Sequence, residues 1–210
     1  FTNQLASSLA PGTIRLGARA VETTGAHLII DGGDRITADA VVVATDGASA
    51  SRLLGIPNPG SRSTSCIWFS ADSPPPGIGK FIALDGSTDA AVRNLAIMSA
   101  VSEKYAPPGK CLIAASIPGT VGDVGLETQA RKHLTQWIGP VVESWETLRI
   151  DRIVHGHPDQ RAPLNARQRV NLGDNLWVCG DHRDTASIQG ALFSGRRTGE
   201  AIAESLGVTP

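Results

Sequence analysis

The chain has 210 residues, 41% of them hydrophobic and 19% charged, enough apolar material for one ordinary domain or two smaller ones sharing a core. Its 19 Lys and Arg nearly cancel its 20 Asp and Glu, for a net charge of -1, so it carries no electrostatic footprint for nucleic acid or an anionic membrane. Cys66, Cys111 and Cys179 are far apart and form no CxxC pair, which excludes a disulfide framework and a zinc cluster and predicts a reducing, cytoplasmic setting with no metal.

No uninterrupted apolar run of about 18 residues occurs, and no transmembrane helix is expected. The chain opens on Phe1 without a basic-then-apolar leader, the pattern expected of an internal cut through a longer protein. Gln4 to Leu9 reads as the end of a short helix, broken at Pro11-Gly12. Three β-type runs follow, Thr13–Leu16, Ala20–Thr23 and His27–Ile30, separated by Gly17, Gly25 and Gly32-Gly33 in the spacing of a small meander. Val41 to Ala44 is uninterrupted and β-branched, which predicts a strand of a parallel sheet covered on both faces. Asp46 to Leu54 is predicted helical, ending at Gly55.

From about Gly60 to His157 the texture changes. Strand-like runs at Cys66–Phe69, Lys80–Leu84, Leu95–Ser99 and Cys111–Ile117 alternate with Pro- and Gly-rich turns, interrupted by one helix over Leu126–Ile138. Trp145 to Val154 resumes β character. After Pro158 the first pattern returns, with an apolar run Asn175–Cys179, then Gly180-Asp181, a loop, and a helix over Ser187–Leu206. In that helix Ile188, Ala191, Leu192, Gly195, Gly199, Ile202 and Leu206 share one stripe, which predicts a buried face. Gly195 and Gly199 each lower helix propensity by about 1 kcal/mol relative to Ala, so their place on the stripe predicts very close packing.

The chemistry-bearing stretch is Asn175–Asp181 followed by Ser187–Ala191. Gly180 permits a tight backbone and close ligand approach, and Asp181 stands where open α/β sheets bind ligands, at a strand's carboxyl end. Free N–H groups around Ile188 to Ala191 would meet a carbonyl oxygen or a developing negative charge. Taken alone, the same residues also suit a strand, a turn and a helix with no ligand.

"NLWVCGD" with "SIQGALFSGRRTGEAIAESL" resembles the C-terminal flavin motif of the flavin-containing amine oxidase, protoporphyrinogen oxidase and phytoene desaturase group. The resemblance implies FAD as cofactor, with Gly180 and Asp181 at its ribityl or pyrophosphate region and the backbone of Ile188, Gln189 and Gly190 at the isoalloxazine ring. "GTIRLGARAVETTGAHLIIDGGDRITADAVVVATDGASASRLL" resembles the middle segment of the same families. There, by position, Val21 would touch the adenine end through its backbone, with Ala44 and Thr45 near the cofactor. Ordinary strand packing for Val21, and a helix N-cap at Thr45 and Asp46, remain open alternatives.

The departure from the family is the absence of its opening strand, GxGxxG and following acidic residue. Gly77-Ile78-Gly79 has Ile82 where the third Gly belongs, and Gly79-Lys80 lacks the Gly and the Ser/Thr of a P-loop. The expectation is therefore an α/β fold: a partial Rossmann-like FAD-binding domain from residues 1–58 and 159–210, with a β-rich substrate-binding insert at 59–158. The complete protein would transfer a hydride from a small-molecule substrate to the flavin, and this segment alone would be inactive, retain little FAD and self-associate. The competing reading is a non-catalytic binding module with degenerate dinucleotide-binding flanks.

Substrate-side candidates are Trp68, Phe69, Trp145, His155 and His157. The two histidines share a face if their segment is a strand, as a metal pair, a substrate contact or solvated side chains; no ligand set is spaced to complete a zinc site. His182 and Arg183 either lie near the flavin or belong to a solvated loop. No catalytic base is assigned, and no GxSxG elbow supports a hydrolase.

Overall fold

Residues 2–119 and 124–208 are described by a computed structural model. The chain divides into two units, one formed by Phe1–Pro59 with Gln160–Pro210 and the other by Gly60–Asp159.

The first unit opens with α1 (Thr2–Ser7) and a three-stranded antiparallel meander of β1 (Ala20–Thr23), β2 (His27–Ile30) and β3 (Arg35–Thr37). The run Thr13–Leu16, predicted as a strand, is irregular. It has no strand partner among the described residues, and a β run without a ladder leaves its backbone groups to water. β4 (Val41–Val43) then leads into α2 (Gly47–Leu54). Asp46 caps this helix by accepting from the Ser49 amide at 3.0 Å, and Gly55 ends it in the left-handed conformation at φ 64, the arrangement expected of such punctuation.

The chain re-enters this unit with β10 (Asn171–Gly173) and β11 (Leu176–Val178), joined through Asp174 and Asn175 at φ 49 and 59. β11 lies parallel to β4, with Leu176, Trp177 and Val178 opposite Val41, Val42 and Val43. The two ends of the chain thus build one sheet of order β10-β11-β4. Val43, Val178 and Ala50 form its core with Leu53, Leu54, Ile56 and Leu172. Only one face of β4 is covered, however: Val41 and Val43 are buried, whereas Val42 is 41% exposed. The expectation of a strand covered on both faces fails within the described residues.

The last helix, α5 (Ile188–Ser205), has the predicted bounds but not the predicted face. Its buried residues are Gly190, Ser194 and Thr198, while Ile188, Leu192 and Leu206 are exposed. An alanine methyl at Gly195 or Gly199 would meet no atom within 4 Å. The face turned inward is the one whose polar atoms find partners. Ser194 Oγ accepts from the Gly180 amide at 2.9 Å and lies 2.8 Å from the Gly180 carbonyl, and Thr198 donates to the Ser194 carbonyl at 2.8 Å.

The second unit is a five-stranded antiparallel sheet of order β6-β7-β8-β5-β9: β5 (Ser61–Ala71), β6 (Ile82–Leu84), β7 (Asn94–Ile97), β8 (Cys111–Pro118) and β9 (Glu146–Pro158). A short α3 (Met98–Val101) follows β7, and α4 (Leu126–Ile138) follows β8. β5 alternates strictly from Ser65 onward, with Ser65, Ile67, Phe69 and Ala71 buried, the period-two pattern of a sheet packed on one face. That face meets Leu126, Ala130 and Leu134 of α4, with Val142 and Trp145 closing the core. Each such large side chain contributes roughly 1.5–3 kcal/mol by leaving water.

Candidate functional site

In the first unit, β4 and β11 run parallel and end side by side. The Cys179 amide donates to the Val43 carbonyl at 3.0 Å, the last rung before both chains turn. The turn after β4 carries Ala44, Thr45 and Asp46, all exposed. The turn after β11 carries Gly180 and a 3₁₀ turn over Asp181–Arg183. Gly180 has φ 147, and a Cβ there would lie 2.6 Å from His182 Cε1 and Nδ1 and 3.3 Å from the Thr45 carbonyl. Only a residue without a side chain lets the two turns approach this closely.

Val21, from β1, lines one pocket with Thr45, together with Arg19, Ala20, Ser49, Arg52 and Leu53; its volume is about 340 Å³. The structure therefore groups Val21 with Thr45, and Thr45 with Gly180. Thr45 and Asp46 do take up the N-cap region of α2, the alternative that the sequence left open. Asp181 is partly buried, and its carboxylate accepts no hydrogen bond from the described residues; Asp181 Oδ1 lies 3.8 Å from His182 Nδ1.

Ile188 and Gln189 are exposed at the first turn of α5. Ser187 caps this helix by accepting from the Gly190 amide at 3.0 Å, leaving the Ile188 and Gln189 amides without partners among the described residues. Gly190 is buried against the loop, where a Cβ would fall 1.9 Å from the Thr185 carbonyl oxygen. Gln160 holds that loop from the far end of the unit: its amide donates to the Asp184 carbonyl at 2.6 Å and its carbonyl accepts from the Ala186 amide at 2.9 Å. Gln160 and Ser194 escape sequence reasoning because their partners are backbone groups, which leave no residue pattern.

His182 is no member of a solvated loop. Its side chain is 1% exposed and neither ring nitrogen has a hydrogen-bond partner among the described residues. Burial pulls its pKa below the ordinary histidine value and the Arg183 charge adds to this, while Asp181 and Asp46 oppose it. Arg183 Nε is also buried and unpartnered among the described residues, and burial lowers that side chain's pKa too.

The substrate-side candidates separate. Phe69 and Trp145 are core residues, with ring centroids 5.6 Å apart. Trp68, one residue along β5, points to the other face of the sheet and donates to Asp151 Oδ2 at 2.8 Å, where Arg149 also binds at 2.7 Å. On β9, His155 Nδ1 sits 2.7 Å from Ser61 Oγ and His157 Nδ1 sits 3.0 Å from the Pro158 carbonyl. This unit also holds a cavity of about 560 Å³ lined by Ile97, Ala100, Lys104, Pro107, Lys110 and Cys111 among others; no predicted cofactor residue lines it.

The family profile described as flavin-containing amine oxidoreductase matches residues 1–203. The chain belongs to that family. The family's flavin accords with the FAD expected from the sequence. Among solved structures, the fold is similar to reduced UDP-galactopyranose mutase, at TM-score 0.77 and 15% identity over 98% of this chain and 50% of that one. It is also similar to an oxidoreductase from Methanosarcina mazei, at TM-score 0.59 and 17% identity over 87% and 48%. A protein from Pyrococcus furiosus matches at TM-score 0.60 and 13% identity over 92% and 47%. At these identities the likeness is one of fold. The fold is of the mixed α/β class, and this amine oxidoreductase family chain spans about half the length of the solved structures it matches. No curated protein matches it. No helix among the described residues is long and apolar enough to cross a membrane.

Proposed function

We propose that this chain is the C-terminal part of an FAD-dependent oxidoreductase that accepts a hydride from a C–N or C–C bond of a small or apolar substrate. One observation supports this above the others: opposite ends of the chain deliver Thr45 and Gly180-Asp181 to adjacent carboxyl ends of two parallel strands. That is where open α/β sheets take their ligands. The donor set suits a flavin. An uncommitted carboxylate can accept from ribityl hydroxyls, two free helix amides can meet the electron-rich edge of the ring, and the buried nitrogens of His182 and Arg183 lack partners among the described residues.

The flavin, when bound, supplies the redox chemistry. The chain's part is orientation and electrostatics. Asp181 would anchor the ribityl or pyrophosphate region. The Ile188, Gln189 and Gly190 backbone at the start of α5 would stabilise negative charge on the ring. Val21, Ala44 and Thr45 would hold the adenine end. The unit from Gly60 to Asp159 would bind the substrate, with Trp68 as a candidate contact. The Gly-rich loop for the pyrophosphate is not in this sequence, so the chain by itself binds FAD weakly.

The test is the visible absorption spectrum of the complete polypeptide after exposure to FAD. Flavin bands that survive gel filtration are expected, and a folded, colourless protein would favour the non-catalytic module. In the flavin-loaded protein, Asp181→Asn is expected to weaken FAD binding about tenfold, as loss of one charge-assisted hydrogen bond does, measured by fluorescence titration. The chain alone is expected to self-associate through the exposed apolar side chains of α5, Ile188, Leu192 and Leu206; light scattering that reports a monomer would overturn this.

A further inference from the structure

Two glycines face the ring of His182. A Cβ at Gly47, in the first turn of α2, would lie 3.3 Å from His182 Cβ and Cγ, and one at Gly180 would lie 2.6 Å from His182 Cε1 and Nδ1. The imidazole therefore fills the space between the turn after β4 and the turn after β11. Gly47 is itself pressed against Pro59, whose Cγ would sit 2.5 Å from an added Cβ. Both turns are locked around this ring, and both carry residues assigned to the cofactor.

The choice of histidine here is chemically odd. Two buried ring nitrogens without hydrogen-bond partners among the described residues destabilise the fold by about 1–3 kcal/mol for each unsatisfied group, where an apolar ring of similar shape would avoid that. A charged imidazole would be worse. The charged groups nearest it are Asp181 and Arg183 on its own turn and Asp46 on the turn after β4, and these do not compensate for its burial, which dominates.

We propose that His182 is a positioning residue of the flavin site: its uncharged imidazole, wedged between Gly47 and Gly180, holds the Thr45–Gly47 turn against the Gly180–Asp181 turn, and protonation releases that clasp and the cofactor with it. The inference rests on the flavin reading above. The direction follows from linkage. A histidine whose folded pKa lies below its ordinary value of about 6.5 takes up its proton first in the open state. Stability of the clasp is complete above that value and falls as the pH drops through the interval between the two.

The experiment measures FAD affinity of the complete polypeptide between about pH 5 and 8, together with its His182→Ala, His182→Phe and His182→Gln variants. Wild type is expected to lose affinity on the acid side by about tenfold per pH unit, the signature of one linked proton. His182→Phe and His182→Gln, at whatever affinity they begin, are expected to lose that acid-side fall, because neither titrates. His182→Ala is expected to bind FAD about tenfold more weakly at pH 8 through lost preorganisation. A merely structural histidine would leave the pH profile the same in all four proteins. An unchanged acid-side fall in His182→Phe and His182→Gln, or wild-type affinity in His182→Ala, overturns the inference while leaving the flavin reading intact. Wild-type protein that takes up no FAD removes both.

Discussion

Gly190→Ala is expected to destabilise the first unit by about 3 kcal/mol, the upper part of the range for overpacking, and, on the proposed flavin reading, to abolish FAD uptake. The added Cβ would lie 1.9 Å from the Thr185 carbonyl oxygen and 2.8 Å from Thr185 C and N. All three are backbone atoms, so no side chain can rotate away. Either the tip of α5 or the loop before it must move, and both are already tied down. Ser187 receives the Gly190 amide, and Gln160 binds the loop on both sides of Thr185. The amides of Ile188 and Gln189 would be displaced in the same movement. Gly195→Ala provides the internal control, since an added methyl there meets nothing within 4 Å. In the isolated chain it is expected to stabilise by up to about 1 kcal/mol through helix propensity. Urea denaturation of both variants checks the opposite signs, and a Gly190→Ala protein as stable as wild type would show that the loop yields more easily than its contacts imply.

The same helix marks where sequence reasoning reaches and where it stops. Its bounds, like those of α2 and α4, are legible because caps, glycines and a 3.6-residue period act within one turn of chain. The parallel pairing of β4 with β11 is legible in kind, since a short apolar run at each end of the chain, β-branched at Val41–Val43, flanks a different texture between them. The buried face of α5 is not legible. Periodicity identifies an apolar stripe, but which side meets a sheet depends on what the sheet offers, and here it offers the Gly180 amide and carbonyl to Ser194. His182 is half legible: its position after Gly-Asp draws notice, but its burial depends on Gly47, 135 positions away by the numbering. Phe69 and Trp145 read as substrate-side candidates from sequence because an aromatic residue on a strand carries no mark of which face is packed until the helix on it is known.

Arg131 in α4 gives no signal in the sequence at all, and its replacement carries the other large expected effect. Arg131 Nε donates to Glu127 Oε1 at 2.9 Å, Nη1 to the Val142 carbonyl at 3.0 Å, and Nη2 to the Trp145 carbonyl at 2.8 Å and Thr147 Oγ1 at 2.7 Å. Its guanidinium also lies 5.0 Å from the centre of the Phe69 ring. One planar fork thus joins α4, the segment leading into β9 and the Phe69 ring on β5, a task that a point charge on a flexible stem cannot perform. Arg131→Ala leaves the Trp145 carbonyl without its donor, at about 1–3 kcal/mol, whereas the Val142 carbonyl keeps the Trp145 amide at 3.2 Å; with the ion pair and the ring contact also lost, a loss of about 2–4 kcal/mol is expected. Arg131→Lys should recover only a minor part. The Glu127 carboxyl is held below its ordinary pKa by the hydrogen bond from Thr147, then by that from Arg131. A depressed carboxylate contributes stability above its unfolded value, and that contribution is lost as the pH falls through the folded one. Denaturant midpoints of wild type are therefore expected to drop on acidification below about pH 4.5, and less so in Arg131→Ala. Equal acid sensitivity in the two proteins would mean that Thr147 alone sets the Glu127 titration, and wild-type stability in Arg131→Ala would mean that water replaces the fork.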